Sequence, residues 1–352
     1  MDWFARHLLA WFDRHGRKDL PWQRDPTPYR VWVSEIMLQQ TRVQTVIPYY
    51  ERFMARFPDV ASLARADLDE VLHLWTGLGY YARGRNLHRA AIQIEQGGSG
   101  FPSTREGLEA LPGVGRSTAA AVLALAYGKQ AAILDGNVKR VLSRFHAVEG
   151  DVSRTATLNE LWEHAGSHTP ERRLGHYAQA IMDLGATVCV RRAPKCDLCP
   201  VAGRCKAFAN GRAEEFPHRR RSRHKPVRRS RMYVIATHSG AFLLERRRAA
   251  GVWGGLWTPP QRSGDCTPME ICRELGIDER SVEQHRTGAV FRHTFSHFHL
   301  DIEPVYLVLD KKPGQAAEGE RTRWYRPGGT QPVGMPAPAV KLLAGAVDGA
   351  AD

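Results

Sequence analysis

The sequence predicts a multidomain α plus α+β protein: a helical first part, a basic connecting segment, then an α+β module. Three observations carry this. Apolar residues recur at helical spacing up to about residue 188. Residues 216–231, FPHRRRSRHKPVRRSR, hold almost nothing that could build a core. Beyond residue 231 the pattern changes to short alternating or apolar runs bounded by turns, as strands require. At 352 residues the chain is also too long for one ordinary core.

Between residues 29 and 57, Trp32, Ile36, Val43 and Ile47 keep helical spacing. Similar patterns cover 69–91, 116–127, 138–145 and 176–188. Turns punctuate them at Gly77-Leu78-Gly79, Leu111-Pro112-Gly113-Val114-Gly115 and Asp135-Gly136. The basic segment reads as a tether with some contact to phosphate. The second part reads as strands at 232–237, 242–245 and 300–309, with one helix at 269–275. Pro304 falls inside the last strand, which suits an edge or a bulge.

The formal net charge is +13, from 50 Lys and Arg against 37 Asp and Glu. Such a surplus favours a polyanionic partner, nucleic acid before an acidic membrane, with plain solubility as the alternative. The start, Met1-Asp2-Trp3-Phe4-Ala5-Arg6-His7, lacks the basic and apolar regions of a targeting signal. No apolar run reaches the roughly 20 residues of a membrane span. The expectation is a monomeric cytoplasmic protein with no membrane partner. Six cysteines in such a chain point to metal or catalysis rather than disulfides.

Four of them, Cys189, Cys196, Cys199 and Cys205, lie in one short loop. Four thiolates so placed can hold a tetrahedral zinc or a [4Fe–4S] cluster. Structural zinc usually shows two paired knuckles, and only one such pair is present here, at Cys196 and Cys199. Arg191, Arg192 and Lys195 sit inside the loop and suit a grip on phosphate. Cys266 and Cys272 lack any such spacing and read as ordinary residues.

Gly113 and Gly115 flank Val114 just ahead of an Ala-rich helix. Their backbone N–H groups can converge on a phosphate at the helix start, without reading sequence. Leu-Pro-Gly-Val-Gly followed by a helix resembles the helix-hairpin-helix motif of DNA repair proteins. Further on, Asp135 stands at a helix start, where a capping role is the plainer reading. Glu35 falls at the edge of its helix's apolar stripe. There it is either a rim carboxylate in an ion pair or a half-buried group with a raised pKa, able to donate a proton near neutrality.

In order and spacing, the hairpin 111–115, the Asp135-Gly136-Asn137-Val138 turn and the cysteine loop 189–205 resemble the endonuclease III superfamily of base-excision glycosylases. Pro21-Trp22, the run from Trp32 to Thr41, Gly77-Leu78-Gly79-Tyr80-Tyr81 and the run from Phe291 to His297 resemble, within it, adenine DNA glycosylases of the MutY type. The resemblance implies residues 1–212 as a two-lobed, all-helical helix-hairpin-helix glycosylase domain with a 4Fe–4S loop, a basic linker at 213–231, and a Nudix-like domain at 232–345. It implies duplex DNA with A:8-oxoG or A:G mispairs as the partner, and association with the nucleoid in a bacterium.

The same resemblance implies the site. Glu35 would protonate the adenine, Asp135 would stabilise the oxocarbenium ion, and Asn137 would orient Asp135 or the water. Trp22 and Gln179 would line the adenine pocket. Gln40, Thr41 and Tyr80 would wedge into or bind the duplex, with Gly113, Gly115, Arg191, Arg192 and Lys195 on the backbone. Phe295, Ser296 and His297 would read the oxidised guanine. The metal ligands would be Cys189, Cys196, Cys199 and Cys205. Bifunctional relatives carry a lysine where this chain has Ser117, so the implied reaction is monofunctional. The alternatives are a bifunctional glycosylase/AP lyase, a nucleotide pyrophosphohydrolase, and a DNA-binding iron–sulfur protein without catalysis.

The second module resembles a Nudix fold with its chemistry lost. By the Nudix spacing from Gly255, Gln261 replaces a Glu, Met269 replaces an Arg, and Arg273 replaces one of two adjacent Glu residues. Glu270, Glu274 and Gly276 fit, but an Arg at a metal-binding position opposes Mg²⁺.

Overall fold

The computed structural model of the chain describes all residues except 219–223, 265, 311–320 and 349–352. Part of the basic linker thus lies outside the described residues. The chain forms two compact units: Met1–Arg65 with Asn86–Ser222, and Ala66–Arg85 with Arg223–Asp352. In chain order the helices of the first part are α1 (Trp3–His15), α2 (Pro28–Leu38), α3 (Val43–Arg56), α4 (Val60–Arg65), α5 (Leu68–Leu74), α6 (Ala82–Gly97), α7 (Arg105–Glu109), α8 (Arg116–Ala126), α9 (Gly136–His146), α10 (Thr155–His168), α11 (Leu174–Asp183) and α12 (Lys206–Ala209).

The helical spacing from 29 to 57 covers two helices, not one. Gln40, between α2 and α3, takes a left-handed conformation with φ 58° that no helix accommodates. The apolar period survives the break because both helices bury one face. The pattern at 69–91 likewise divides into α5 and α6 around the Gly77–Tyr80 loop.

One core joins the elements that matter in the helical unit. Phe4 and Leu8 of α1, Ala120 and Ala124 of α8, Val138 and Val141 of α9, and Ile181 of α11 are buried together. Val188 and Val201 belong to it, and three of the loop cysteines pack against it. After Asp183 the helix widens into a π-turn, Leu184–Val188, that feeds Cys189. Gly185 in this turn allows the start of α9 to approach closely: a Cβ there would stand 2.6 Å from Asn137 Cβ.

Among the described residues, the second unit is built on an eight-stranded sheet. Its strands are β1 (Val227–Thr237), β2 (Phe242–Arg246), β3 (Trp257–Thr258), β4 (Gln261–Arg262), β5 (Val282–Thr287), β6 (Phe291–Thr294), β7 (His299–Leu309) and β8 (Thr322–Tyr325). The helices are α13 (Pro268–Glu274) and α14 (Ala337–Asp348). The main path runs β3-β2-β1-β7-β5, with β1 and β7 parallel from Val227↔His299 to Thr237↔Leu309. Tyr233, Ile235, Leu307 and Leu309 bury against Ile271 and Cys272 of α13.

Two expectations need correction. The basic segment 213–231 is not wholly a tether, because β1 begins at Val227. Its first three side chains are exposed, but sheet pairing uses the backbone, which a basic sequence supplies as well as an apolar one. Phe216, too, is buried. The strand carrying Pro304 is not an edge: β7 has β1 on one side and β5 and β6 on the other. Pro304 falls where the partner changes, between Ile302, paired with β6, and Val305, paired with β5. The missing N–H therefore coincides with a break in the ladder.

Residues 66–85 pack within the sheet-containing unit. The buried Asp69 of α5 accepts from Trp257 Nε1 at 3.0 Å and from Arg246 at 3.3 Å, with Arg323 at 3.7 Å. Asp69→Ala leaves a buried indole N–H unpaired, so it lowers the unfolding free energy of this unit by about 1–3 kcal/mol. Urea unfolding read by tryptophan fluorescence measures it; an unchanged midpoint would contradict the assignment.

Candidate active site

Asp135 caps α9. Its Oδ1 accepts from the backbone N–H of Asn137 at 3.0 Å and of Val138 at 2.8 Å. Its Oδ2 accepts from Asn137 Nδ2 at 3.2 Å. Arg140, one turn along the helix, donates to Asn137 Oδ1 at 2.9 Å, to Gly185 O at 2.6 Å and to Cys189 O at 2.7 Å. The carboxylate is thus tied through Asn137 and Arg140 to the start of the cysteine loop. Burial pushes its pKa above the ordinary value, against the pull of these donors. The capping role is real, and it leaves Asp135 in the same site as Glu35.

Glu35 projects from α2 in the turn before Gln39. Burial, with the negative charge of Asp135 adding to it, pushes its pKa up to about 8. The ion-paired alternative fails on this: no cation lowers the value, and the neighbour that acts on it is another carboxylate. Two interacting carboxyls in one site can divide the labour, one staying protonated as an acid and the other ionised.

A cavity of the same unit is lined by Trp22, Gln179, Arg17 and Val31, the last of these one helical turn before Glu35 on α2. Gln179 is oriented by Asp183, to which it donates at 2.8 Å. Asp183 is 1% exposed. It also accepts from Arg17, at 2.8 Å from the backbone N–H and at 2.6 and 2.9 Å from the guanidinium. Sequence reasoning missed Arg17, Asp183 and Arg140. Asp183 and Arg140 carried a faint signal, since each lies one turn from a residue already singled out. Arg17 carried none.

In the hairpin, Gly113 is required by the chain itself: its φ is +80°, and a Cβ would meet Asn86 Cβ at 2.9 Å. Gly115, the N-cap of α8, has ordinary φ, and a Cβ there would meet nothing within 4 Å. Its smoothness serves whatever approaches from outside. Ser117 accepts from the N–H of Leu134 at 3.0 Å, fastening α8 to the turn that carries Asp135. Gln40 is exposed; Thr41 is half-buried beside it.

Cys189, Cys196, Cys199 and Cys205 line one cavity with Arg144. None of the four forms a disulfide. Burial raises the thiols of Cys196 and Cys205, and that of Cys199 to about 12. Arg144 is 2% exposed, and its guanidinium donates to Cys189 Sγ at 3.3 Å and to the carbonyls of Phe216, Val190 and Arg191. A buried cation bound to neutral carbonyls and a sulfur needs an anionic partner. Four metal-bound thiolates would supply that charge, so the residues fit a thiolate-held group. Their spacing is not that of a single-ion site: among the described residues no group of three His, Cys, Asp or Glu side chains is placed to hold one metal ion. Arg191, Arg192 and Lys195 are exposed on the loop.

The sheet-containing unit brings two other predicted positions together. Tyr80, 48% exposed and left-handed with φ 49°, has its hydroxyl 3.4 Å from Ser296 Oγ. Ser296 and His297 are exposed in the β6–β7 turn, closed by Phe295 N–H donating to Phe298 O at 2.9 Å. Phe295 points inward instead, stacked on Phe298 at 4.5 Å between centroids.

The Nudix carboxylates are all occupied. Arg262 holds Glu274 at 2.7 Å, and Glu270 caps its own helix through Thr267. Gln261 donates to Ser230 at 2.8 Å, and Arg273 reaches Glu279 at 2.7 Å. A magnesium ion would have to displace an arginine. The expected result is that the protein releases no pyrophosphate from oxidised dGTP in magnesium; turnover above a blank in a pyrophosphate-release assay would refute this.

Residues 33–167 match the HhH-GPD superfamily base excision DNA repair proteins, and residues 231–345 match the NUDIX domain. Fold and site together define a helix-hairpin-helix base-excision DNA glycosylase with a Nudix-like second module. The chain is 34% identical over 343 residues to the adenine DNA glycosylase of Buchnera aphidicola subsp. Baizongia pistaciae, covering 97% of this chain and 95% of that one. It is 35% identical to human adenine DNA glycosylase over 91% of this chain and 70% of the human one. The chain belongs to the adenine DNA glycosylase family, hydrolases of N-glycosyl bonds in DNA. Among solved structures, a thermostable thymine-DNA glycosylase superposes with TM-score 0.53 at 28% identity, over 59% of this chain and 95% of that one. An endonuclease III in a DNA complex shares the fold, with TM-score 0.51 at 20% identity over 59% of this chain and 94% of its own. Among the described residues no helix is long and apolar enough to cross a membrane.

Proposed function

We propose that this glycosylase removes adenine mispaired with 8-oxoguanine, or with guanine, from duplex DNA and stops at an abasic site. The observation that carries the reading is the carboxyl pair, in which burial and Asp135 hold Glu35 near pKa 8. The target adenine leaves the stack to enter the pocket of Trp22 and Gln179. Protonated Glu35 gives its proton to the adenine ring nitrogen on the major-groove edge. The C1′–N9 bond then breaks, its electron pair goes to the base, and the sugar becomes an oxocarbenium ion. Asp135, ionised and held by Asn137, stabilises that cation. Water adds at C1′, losing a proton, and leaves the abasic sugar.

The duplex is gripped without sequence reading by the hairpin N–H groups at Gly113–Gly115 and by Arg191, Arg192 and Lys195. Gln40 and Thr41 are the duplex-wedging residues assigned to the helical unit, and Tyr80 is the one assigned to the sheet-containing unit. Ser296, with a hydroxyl that can donate or accept, meets the N7–H and O8 edge of the oxidised guanine. His297 stands beside it, and Phe295 braces the turn from within. Incubation with a duplex carrying adenine opposite 8-oxoguanine releases free adenine; no release above that from an A:T duplex would overturn the proposal.

The four cysteines would hold a [4Fe–4S] cluster, which when bound anchors the loop presenting the basic side chains. Arg144 compensates its charge from within the fold. Cys199→Ser therefore loses iron and most DNA affinity, while the sheet-containing unit stays folded. Absorption near 400 nm, iron analysis and a duplex-binding titration check this; stoichiometric zinc without iron in anaerobically purified parent would rule the cluster out.

A further inference from the structure

The cavity lined by Trp22 and Gln179 is larger than a base pocket. It measures about 740 Å³. Sites of roughly 300–1,000 Å³ enclose drug-sized ligands, so one purine fills only part of it. Its inner wall holds the buried Trp22 and Gln179. Its outer wall, at Pro26, Gly128, Arg173 and His176, is exposed.

Two helices fix where the outer part lies. Gln39, just past the C-terminal end of α2, donates to Thr118 in the first turn of α8 at 3.4 Å. Val31, near the start of α2, lines the cavity together with Ala124 and Leu125 at the end of α8. The helices therefore run antiparallel. The hairpin, Gln40 and the N-terminus of α8 occupy one end of this pair. The exposed wall lies at the other end, roughly 15 Å away along α8 at 1.5 Å per residue. Glu35 is one helical turn from Val31, between the two ends. A duplex held at the hairpin end would thus leave the exposed wall of this cavity open.

We propose that the outer chamber is the exit path of the excised base: adenine leaves past Leu125 and His176, at the end away from the DNA, while the abasic strand is still bound. This rests on the assignment of Trp22 and Gln179 to the adenine pocket. The path suits a free purine, since Leu125 and Leu174 offer apolar faces and Arg173 and His176 offer polar edges. Exit by this route separates release of the base from release of the damaged strand.

The test is a single-turnover reaction on a duplex with radiolabelled adenine opposite 8-oxoguanine, with rapid gel filtration of the complex. In the parent, free adenine appears at the rate of bond cleavage while abasic duplex stays with the enzyme. Leu125→Trp with His176→Trp narrows the path: cleavage stays within twofold of the parent, and adenine release slows at least tenfold. A second measurement needs no variant. Labelled adenine exchanges into the preformed complex with abasic duplex as fast as into free enzyme. Adenine that leaves only with the DNA, a folded double variant that releases it at the parental rate, or exchange slowed tenfold by bound duplex would each overturn the proposal. Absence of cleavage in the parent would instead refute the underlying assignment of the base pocket.

Discussion

Glu35→Gln and Asp135→Asn each cut the single-turnover rate of adenine release by about 10²–10⁴-fold, the span that general acid catalysis covers, and both keep duplex affinity. Neither residue is part of the phosphate-gripping surface, so binding and chemistry separate. The pH profile gives an independent check. Glu35 acts protonated, and its pKa is raised to about 8. The active form is complete below that value and is lost as pH rises through about 8, which sets the alkaline limb. Asp135 acts ionised with a raised pKa, so the acid limb lies above the ordinary carboxylate value of about 3.9. Stability moves with the same groups. Folded Glu35 holds its proton while the unfolded carboxyl loses it near 4.3, so stability falls as pH rises from about 4.3 to about 8. Glu35→Gln removes that penalty, and the inactive variant melts higher than the parent at pH 8. Release within tenfold of the parent, or an alkaline limb unchanged from pH 7 to 10, would show that the acid is elsewhere.

The fold was legible wherever a pattern repeats along the chain. The helices of the first part, the strands near 232–237 and 300–309 and the helix at 269–275 all show periodicity, because burial of one face writes itself at 3.6 or 2 residues. Breaks were less legible. Gln40 interrupts α2 and α3 through a backbone angle that its side chain does not announce. Val227 begins a strand among arginines because its partner is the backbone of β7. The candidate site was legible where a rare residue type falls in a tight group, as with the four cysteines and the hairpin glycines; Asp135 read as a helix cap, and only the family resemblance pointed beyond that. Residues that act through a distant partner stayed hidden. Arg17 meets Asp183 from 166 positions away. Arg144 shows its role only once Cys189 and Phe216 are folded around it.

Ser117→Lys converts this hydrolase toward a lyase. In the parent, no amine stands at the helix start that follows the hairpin, and a hydroxyl cannot form an imine. The expected results are therefore attack on the sugar by water, strand breaks only after alkali or heat, and little covalent complex trapped by borohydride. Ser117 lies in the first turn of α8 and fastens Leu134, the residue before Asp135, at 3.0 Å. An amine placed there starts from the turn that lies against Leu134, the chain neighbour of Asp135. It can attack C1′ of the abasic sugar, lose water to give a Schiff base, and permit β-elimination of the 3′ phosphate. The substitution also removes the bond to Leu134 N–H, so adenine release slows as lyase activity appears. The two effects are read together, free adenine by chromatography and trapped complex on denaturing gels after borohydride. Efficient trapping by the unmodified protein at the rate of base loss would sink the hydrolytic assignment and make a bifunctional glycosylase/lyase the better reading.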